Sequence, residues 1–283
     1  MKLINQHYKK LPTSTLYHYT NSEAFLGIVN NAQLWATQIQ YMNDKKEFKH
    51  AVDLTVRMIK EVINASGSSL FLEKLKSSVS QYNGARTFIV SFSENPDTLS
   101  QWRAYSRGGG YSIGFDHRKL IELAHKHTFS LLPCIYDENT QKELLKELVN
   151  FSMSESSNIE DPSSEDQINH FLAKKFYGKF MRLAPSIKHP AFSEENEWRL
   201  IGGPFSYELD EAGWRSARGM LVPYHSFSLL DNEGFLPINE VHIGPHPDMY
   251  DSADSVRTFL YSKPTMSREN LVKVRLSSAL YRE

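Results

Sequence analysis

The chain has 283 residues, of which 40% are hydrophobic, 23% charged and 12% aromatic, and this composition excludes a disordered or fibrous protein. Lysine and arginine total 32 against 33 acidic residues, so any basic surface for nucleic acid or anionic membranes is local. Cys134 is the only cysteine, which excludes an internal disulfide and a cysteine zinc cluster. Residues 1–15 contain no apolar leader and no run is long enough to span a bilayer, so we expect a cytoplasmic protein.

The first half of the chain mixes short strands and helices. Aromatic and β-branched residues predict a strand over 16–20, and the capping-box spacing of Thr20 and Glu23 predicts a helix directly after it. A second helix begins after Asp44, with Glu47 at the other capping-box position. Further strands are predicted over 33–37, 86–92 and 111–115, and a short helix over 98–106.

The second half contains a polar segment over 152–166 that is almost all serine or acidic, and we predict a surface loop there. After it, apolar residues at helical spacing predict a helix that returns to the core: Ile168, Leu172, Phe176, Phe180 and Leu183. Strands are predicted over 131–136, 197–201, 220–224, 241–244 and 272–276. Because strands and helices do not alternate strictly, the pattern favours an α+β fold over a doubly wound sheet.

Several standard functional signatures are absent from the sequence, namely the dinucleotide-binding glycine motif, the P-loop and the zincin motif. His242 and His246 are separated by Gly-Pro, which prevents a helical metal pair, so we interpret them as scattered surface or loop histidines. Ser112 lies in a G-x-S-x-G pattern, but the β-like run around it predicts an ordinary strand residue. A serine hydrolase that uses Ser112 is therefore the least favoured alternative.

A cluster of carboxylates, Glu194, Glu195 and Glu197, stands at the entrance of the strand predicted over 197–201. The alternation of side chains along a strand places Glu195, Glu197 and Arg199 on one face. That face is either a solvated, salt-bridged surface or the wall of a cleft. In a cleft, Arg199 either leaves Glu197 available for chemistry or forms a structural ion pair with it.

Motifs at 16–20, 34–37, 41–44, 92–94, 99–105, 110–115, 195–199 and 240–245 occur in one order along most of the chain. Together they resemble the bacterial domain-of-unknown-function family 2971. This resemblance by itself implies no activity.

A more distant resemblance, to ADP-ribosyltransferase folds, implies an activity. The segment His18-Tyr19-Thr20 with the helix and strand after it, and the segments 196–201 and 241–244, are similar to ADP-ribosyltransferase folds, particularly the DarT-type toxins. The resemblance implies a mixed, mainly antiparallel sheet with flanking helices, NAD as co-substrate and no metal. It implies a transferase that passes ADP-ribose to an unknown acceptor macromolecule, nucleic acid among the candidates, in a phage defence or toxin setting and with no membrane partner. His18 would bind NAD and Glu197 would be the catalytic carboxylate.

These residue types suit the chemistry. Breaking the nicotinamide glycosidic bond develops positive charge on the ribose, which a carboxylate such as Glu197 stabilises. Hydroxyl, aromatic and cationic side chains bind the rest of a dinucleotide. The candidates for NAD contacts are His18, Tyr19, Thr20, Tyr41, Ser91, Ser93, Trp102, Arg103 and Arg199, with the nicotinamide-stacking ring left open among Tyr19, Tyr41, Trp102 and Tyr105.

We expect His18 and Glu197 to close one site, so residues 1–283 are predicted to form a single elaborated domain. An alternative of another class is a non-catalytic module that senses a nucleotide or a protein partner on the same fold. The sequence leaves the acceptor and the oligomeric state open.

Overall fold

The computed structural model describes residues 1–42, 45–82, 86–106, 109–208, 210–217, 219–269 and 271–279. The helices are α1 (Lys2–Tyr8), α2 (Ser22–Asn31), α3 (Lys45–Ser66), α4 (Leu70–Gln81), α5 (Leu99–Tyr105), α6 (His117–Lys126), α7 (Glu138–Ser156), α8 (Glu165–Phe171), α9 (Tyr177–Leu183) and α10 (Met249–Tyr261). The strands are β1 (Leu16–Thr20), β2 (Gln33–Gln38), β3 (Phe88–Ser93), β4 (Tyr111–Phe115), β5 (Ser130–Pro133), β6 (Glu197–Gly202), β7 (Ala212–Ala217), β8 (Met220–Ser228), β9 (Ile238–Ile243) and β10 (Lys273–Leu276). Short turns of 3₁₀ helix lie at Ile39–Tyr41, Ala184–Ser186 and Pro190–Glu195.

These strands form one sheet in the described part of the chain, with the order β10-β9-β4-β1-β3-β2-β8-β7 and with β6 joining β3 to β5. Each described pair is antiparallel except β10 with β9. The predicted α+β class with a mainly antiparallel sheet is therefore confirmed.

The sheet forks at β3. One edge of β3 pairs with β6 along its whole length, from Phe88 to Ser93. The other edge is shared, because β1 pairs with it at Ser93 and β2 pairs with it at Phe88 and Ile89. Strands β1 and β2 therefore diverge on either side of Ser91.

Helices cover both faces of the sheet. On one face, α2, α6 and α10 contribute Phe25, Leu120 and Val256 to a core with Phe92 and Trp198. On the other face, α3, α4, α7, α8 and α9 build a second, helix-rich core. Both cores pack on the same sheet, and the interpretation of residues 1–283 as one domain stays a prediction. No described helix combines the length and the apolar character that a bilayer crossing requires.

One predicted helix cap was wrong. Thr20 stays in β1, and Asn21 is the cap of α2, because its side chain accepts a hydrogen bond from the Ala24 amide. This geometry is the usual one for an N-cap asparagine. Asp44 lies outside the described residues, and the same holds for the side chain of Glu47.

The predicted loop over 152–166 is shorter than expected, because α7 continues to Ser156 and α8 begins at Glu165. Serine hydroxyls in the last turns of α7 donate to carbonyls three or four residues earlier, Ser152 to Leu148 and Ser156 to Met153. These bonds satisfy the polar groups within the helix, and Ser152 is buried. Only residues 157–164 connect the two helices.

The helix predicted after this segment is interrupted by one π-helical turn at Leu172–Phe176, between α8 and α9. The apolar residues of the stripe recur at intervals of four and are fully buried: Ile168, Leu172, Phe176 and Phe180. An α-helix has 3.6 residues per turn, so a strict interval of four would rotate the stripe away from the core. The wider π turn offsets that rotation.

Candidate functional site

Most of the predicted site residues lie on three neighbouring strands, β1, β3 and β6. Ser93 of β3 pairs with Tyr17 of β1 on one side and with Glu197 of β6 on the other, and Ser91 pairs with Arg199. Because side chains alternate along a strand, these five residues share one face of the sheet. We call this surface the Glu197 face.

His18 does not share that face. As the neighbour of Tyr17 it lies on the opposite side of β1, where its ring centroid is 5.9 Å from that of Phe92. Its Nδ1 is 2.9 Å from the Ser91 carbonyl oxygen, so Nδ1 donates to the segment of β3 where β1 and β2 diverge. Burial lowers the pKa of His18, although the bond to Ser91 opposes this shift. The predicted pair of His18 and Glu197 thus lies on adjacent parts of the sheet without side-chain contact, and Thr20 is buried on the His18 side.

Glu197 lies in a buried ionic cluster, which we call the Lys188 cluster: Lys188, Glu195, Glu197 and Arg199. The Lys188 Nζ is 2.6 Å from a carboxylate oxygen of Glu195 and 2.6 Å from one of Glu197. Arg199 donates from Nε to Glu197 at 2.7 Å and from Nη2 at 3.0 Å. Glu197 is 5% exposed, Arg199 4% and Lys188 2%, so the charges neutralise one another away from solvent.

The cluster keeps Glu197 ionised. Burial alone would raise the pKa of Glu197, but the charges and hydrogen bonds of Arg199 and Lys188 outweigh burial and lower this pKa to about 2. A carboxylate in this state is not a proton donor at neutral pH. It can only accept hydrogen bonds or stabilise positive charge.

Neighbouring backbone fixes the cluster from several directions. The Arg199 Nη1 donates to the Pro185 carbonyl at 2.7 Å, and the buried Gln141 amide donates to the carbonyls of Ile135 and Lys188. The Lys188 amide donates to the Ile135 carbonyl. Lys188 was not predicted as a site residue. Its one local signal is the largely apolar run over 183–187, which leads the lysine into the core.

The aromatic candidates Tyr19 and Trp102 contact each other edge to face, with centroids 4.7 Å apart. The Tyr19 hydroxyl donates to the Asn95 carbonyl and accepts from the Thr98 amide, and Trp102 Nε1 donates to Asp97. Both side chains are buried, at 6% and 2% exposure. Burial raises the pKa of Tyr19, so its hydroxyl stays protonated. They form a small buried cluster with Tyr17 on the side of β1 that carries the Glu197 face.

The remaining candidates have separate places. The buried Ser93 hydroxyl donates to the Glu195 carbonyl and accepts from the Asn95 amide, which is the bonding of a turn residue. Tyr41 lies in the 3₁₀ turn after β2, and Arg103 is exposed on α5. Tyr105, the last residue of α5, is 37% exposed.

Ser112 is fully buried inside β4, paired with Tyr19 of β1 and with His242 of β9. The strand continues beyond it to Phe115, so the strand-to-helix elbow of a serine hydrolase does not form at this residue. The interpretation of His242 as a surface or loop histidine was wrong, because it lies in β9 and is 7% exposed. Across the described residues no group of three or more metal-binding side chains is present.

Residues 101–200 match the family whose description is protein of unknown function, DUF2971. The resemblance to this family that the motifs predict is confirmed. Neither the curated proteins nor the solved structures that were compared include a match to this chain.

Proposed function

We propose that this chain, whose residues 101–200 carry the DUF2971 family sequence, binds NAD on the Glu197 face and transfers ADP-ribose to an acceptor macromolecule. The observation that supports the proposal is the adjacency of β1, β3 and β6. It aligns tyrosines of the first strand, serines of β3 and the Glu197 carboxylate on one surface. The mainly antiparallel sheet and these residue types support the proposal.

In the proposed reaction, the glycosidic bond between nicotinamide and the ribose breaks, and nicotinamide leaves with the bonding electron pair. The ionised Glu197 carboxylate stabilises the positive charge that develops on the ribose. A nucleophilic atom of the acceptor then forms the new bond to the ribose carbon and loses its proton to solvent water. His18 acts in this scheme as a positioning residue, because it bonds the β3 backbone from the opposite face.

The proposal requires a change at Lys188. Its ammonium group contacts both Glu195 and Glu197, so it occupies the position from which a ribose hydroxyl would reach the carboxylate. Glu195 is the last residue of the 3₁₀ turn Pro190–Glu195, and displacement of this turn removes one of the two carboxylates that hold Lys188.

Labelled NAD tests the proposal. We expect transfer of label from NAD to a protein, RNA or DNA fraction of a bacterial lysate, and a loss of about 100-fold or more for Glu197→Gln. Glu194→Gln is the matched control, because Glu194 is exposed and precedes the same strand. Label transfer by this variant should equal that of the wild type. Label transfer by the Glu197→Gln variant at the wild-type rate contradicts the proposal.

The ion pairing of Glu197 favours a second candidate, a module that binds a nucleotide without consuming it. Two cations and near-complete burial give Glu197 a structural role that needs no catalysis. In that case calorimetry detects NAD binding while chromatography finds no free nicotinamide. Release of nicotinamide that depends on Glu197 excludes this candidate. A toxin or defence setting and a cytoplasmic location stay predictions.

A further inference from the structure

The strand β10 forms one edge of the sheet in the described part of the chain, since it pairs only with β9. The Ser277 amide donates to the Ile243 carbonyl of β9. The N–H and C=O groups of every second residue of β10, counted back from Ser277, therefore face β9. Val274 and Leu276 therefore direct their N–H and C=O groups away from β9. Arg257 reaches the Val274 carbonyl from outside the sheet, at 3.5 Å.

An apolar groove runs beside this edge, between the end of α10 and the segment before β10. Its apolar lining consists of Leu260, Tyr261, Met266, Leu271, Val272 and Val274. Tyr261 is 68% exposed and Leu271 is 71% exposed, so two large side chains of the groove lie in solvent. Clustered exposed apolar side chains of this kind mark interaction sites more often than scattered ones.

Cations surround the groove and the edge. Arg257 and Arg268 line it, and Arg268 lies over the Tyr261 ring at 4.4 Å. Lys273 and Arg275 project from β10 itself, where both are exposed. Nearby acidic residues neutralise only part of this charge, Asp254 through Arg257 and Glu240 through Arg275, and Glu269 lies next to Arg268.

The segment that leads into the strand at the opposite edge of the sheet is acidic, although that strand itself carries Arg215. Strand β7 ends the described order on that side, and the exposed residues Glu208, Asp210 and Glu211 precede it. An acidic ligand is therefore attracted to the β10 edge and repelled from the segment before β7.

We propose that the β10 edge binds an extended acidic segment of a partner protein, which adds to the sheet as one further strand. Its backbone bonds the outward groups of Val274 and Leu276, as in other β-strand additions. Because side chains alternate along the added strand, apolar residues enter the groove and acidic residues face Lys273 and Arg275. The partner motif is thus an alternation of apolar and acidic residues.

Fluorescence anisotropy with a synthetic probe tests this proposal. The probe is a labelled peptide in which valine alternates with aspartate over about seven residues, the length of an ordinary strand. We expect binding to the full chain that weakens at least about tenfold, or about 1.4 kcal/mol, for Leu271→Asp. Tyr250→Asp is the matched control, since Tyr250 is 76% exposed on α10 outside the groove and should not change binding.

Two further peptides separate strand addition from simple charge attraction. A probe with N-methylated amides on its bonding edge keeps its charge but loses its strand hydrogen bonds, and a scrambled probe keeps its composition. Both should bind at least about tenfold more weakly than the first probe. Equal binding of the N-methylated probe, unchanged binding by Leu271→Asp, or no binding of the alternating probe overturns the proposal. Self-association in sedimentation that Leu271→Asp abolishes also overturns it, in favour of a second copy of this chain.

Discussion

At the residue scale, the unusual feature is a lysine ammonium buried at 2% exposure. Lysine is almost never fully buried unless it is paired, because desolvation of the charge costs several kcal/mol. Lys188 meets this condition through two carboxylates at 2.6 Å each. Glu195 and Glu197 in turn share this one cation. The cluster is therefore a unit in which no member is independent.

We expect Lys188→Met to lower the free energy of unfolding by about 3–5 kcal/mol, because it leaves two carboxylates near each other with one cation fewer. Urea unfolding at neutral pH measures this change. The control is Lys76→Met, which breaks the surface pair between Lys76 and Glu73 and should leave stability almost unchanged. If both variants have the same urea midpoint of unfolding as the wild type, the buried cluster does not stabilise the fold.

The site was predictable in part at this scale. Strand alternation correctly places Glu197 and Arg199 on one face, and their ion pair is one of the two predicted interpretations. Glu195 joins them from the 3₁₀ turn before β6, through Lys188, and alternation does not account for its position. Lys188 was not predicted as a member of the site, because nothing in its spacing along the sequence relates it to Glu197. The opposed faces of His18 and Glu197 depend on the register of β1 with β3, which involves residues far apart in sequence.

At the element scale, local signals located most strands. The predicted bounds of β1 and β4 agree with the structure, because each strand is a short aromatic or β-branched run between turn residues. Strand β7 was not predicted, because its residues Ala-Gly-Trp-Arg-Ser-Ala have weak strand propensity. This strand forms through its pairing with β8, and such tertiary support has no local signal.

The π turn gives a prediction about deletion. Removal of the exposed Lys174 restores intervals of four and three residues in the apolar stripe, which suit a plain α-helix. We therefore expect this deletion variant to stay folded, with a urea midpoint close to the wild type. Deletion of the exposed Lys146 inside α7 should unfold the protein, because it rotates the following turns by about 100°. Circular dichroism and urea titration of both variants check this, and equal losses contradict the role given to the π turn.

At the scale of the whole molecule, the folded chain suppresses protonation of several histidines. Burial lowers the pKa of His7 to about 4, and burial also lowers the pKa of four other histidines: His18, His127, His225 and His242. The unfolded chain binds these protons near pH 6.5, whereas the folded chain binds them only at lower pH. The contribution of these histidines to the free energy of unfolding is therefore fully present above about pH 6.5 and is lost as the pH falls below this value.

We expect the free energy of unfolding to fall by at least about 2 kcal/mol between pH 7 and pH 5, the part that His7 alone supplies. Urea titrations at the two pH values measure the difference. The His7→Gln variant should show a difference between the two pH values that is smaller by about the same amount. A substitution of the exposed His125 should leave this difference unchanged. A wild-type midpoint that is independent of pH over this range contradicts the prediction.

The fork at β3 also has a consequence for the order in which the protein is made. Strand β3 is complete by Ser93, but the partner that covers one whole edge of it begins only at Glu197. A nascent chain that has not yet reached β6 therefore presents β3 with an open, strongly apolar edge while about a hundred residues are still to be translated. The ribosome-bound chain thus exposes residues 88–92, the future centre of the sheet, to aggregation for a long interval before β6 is made.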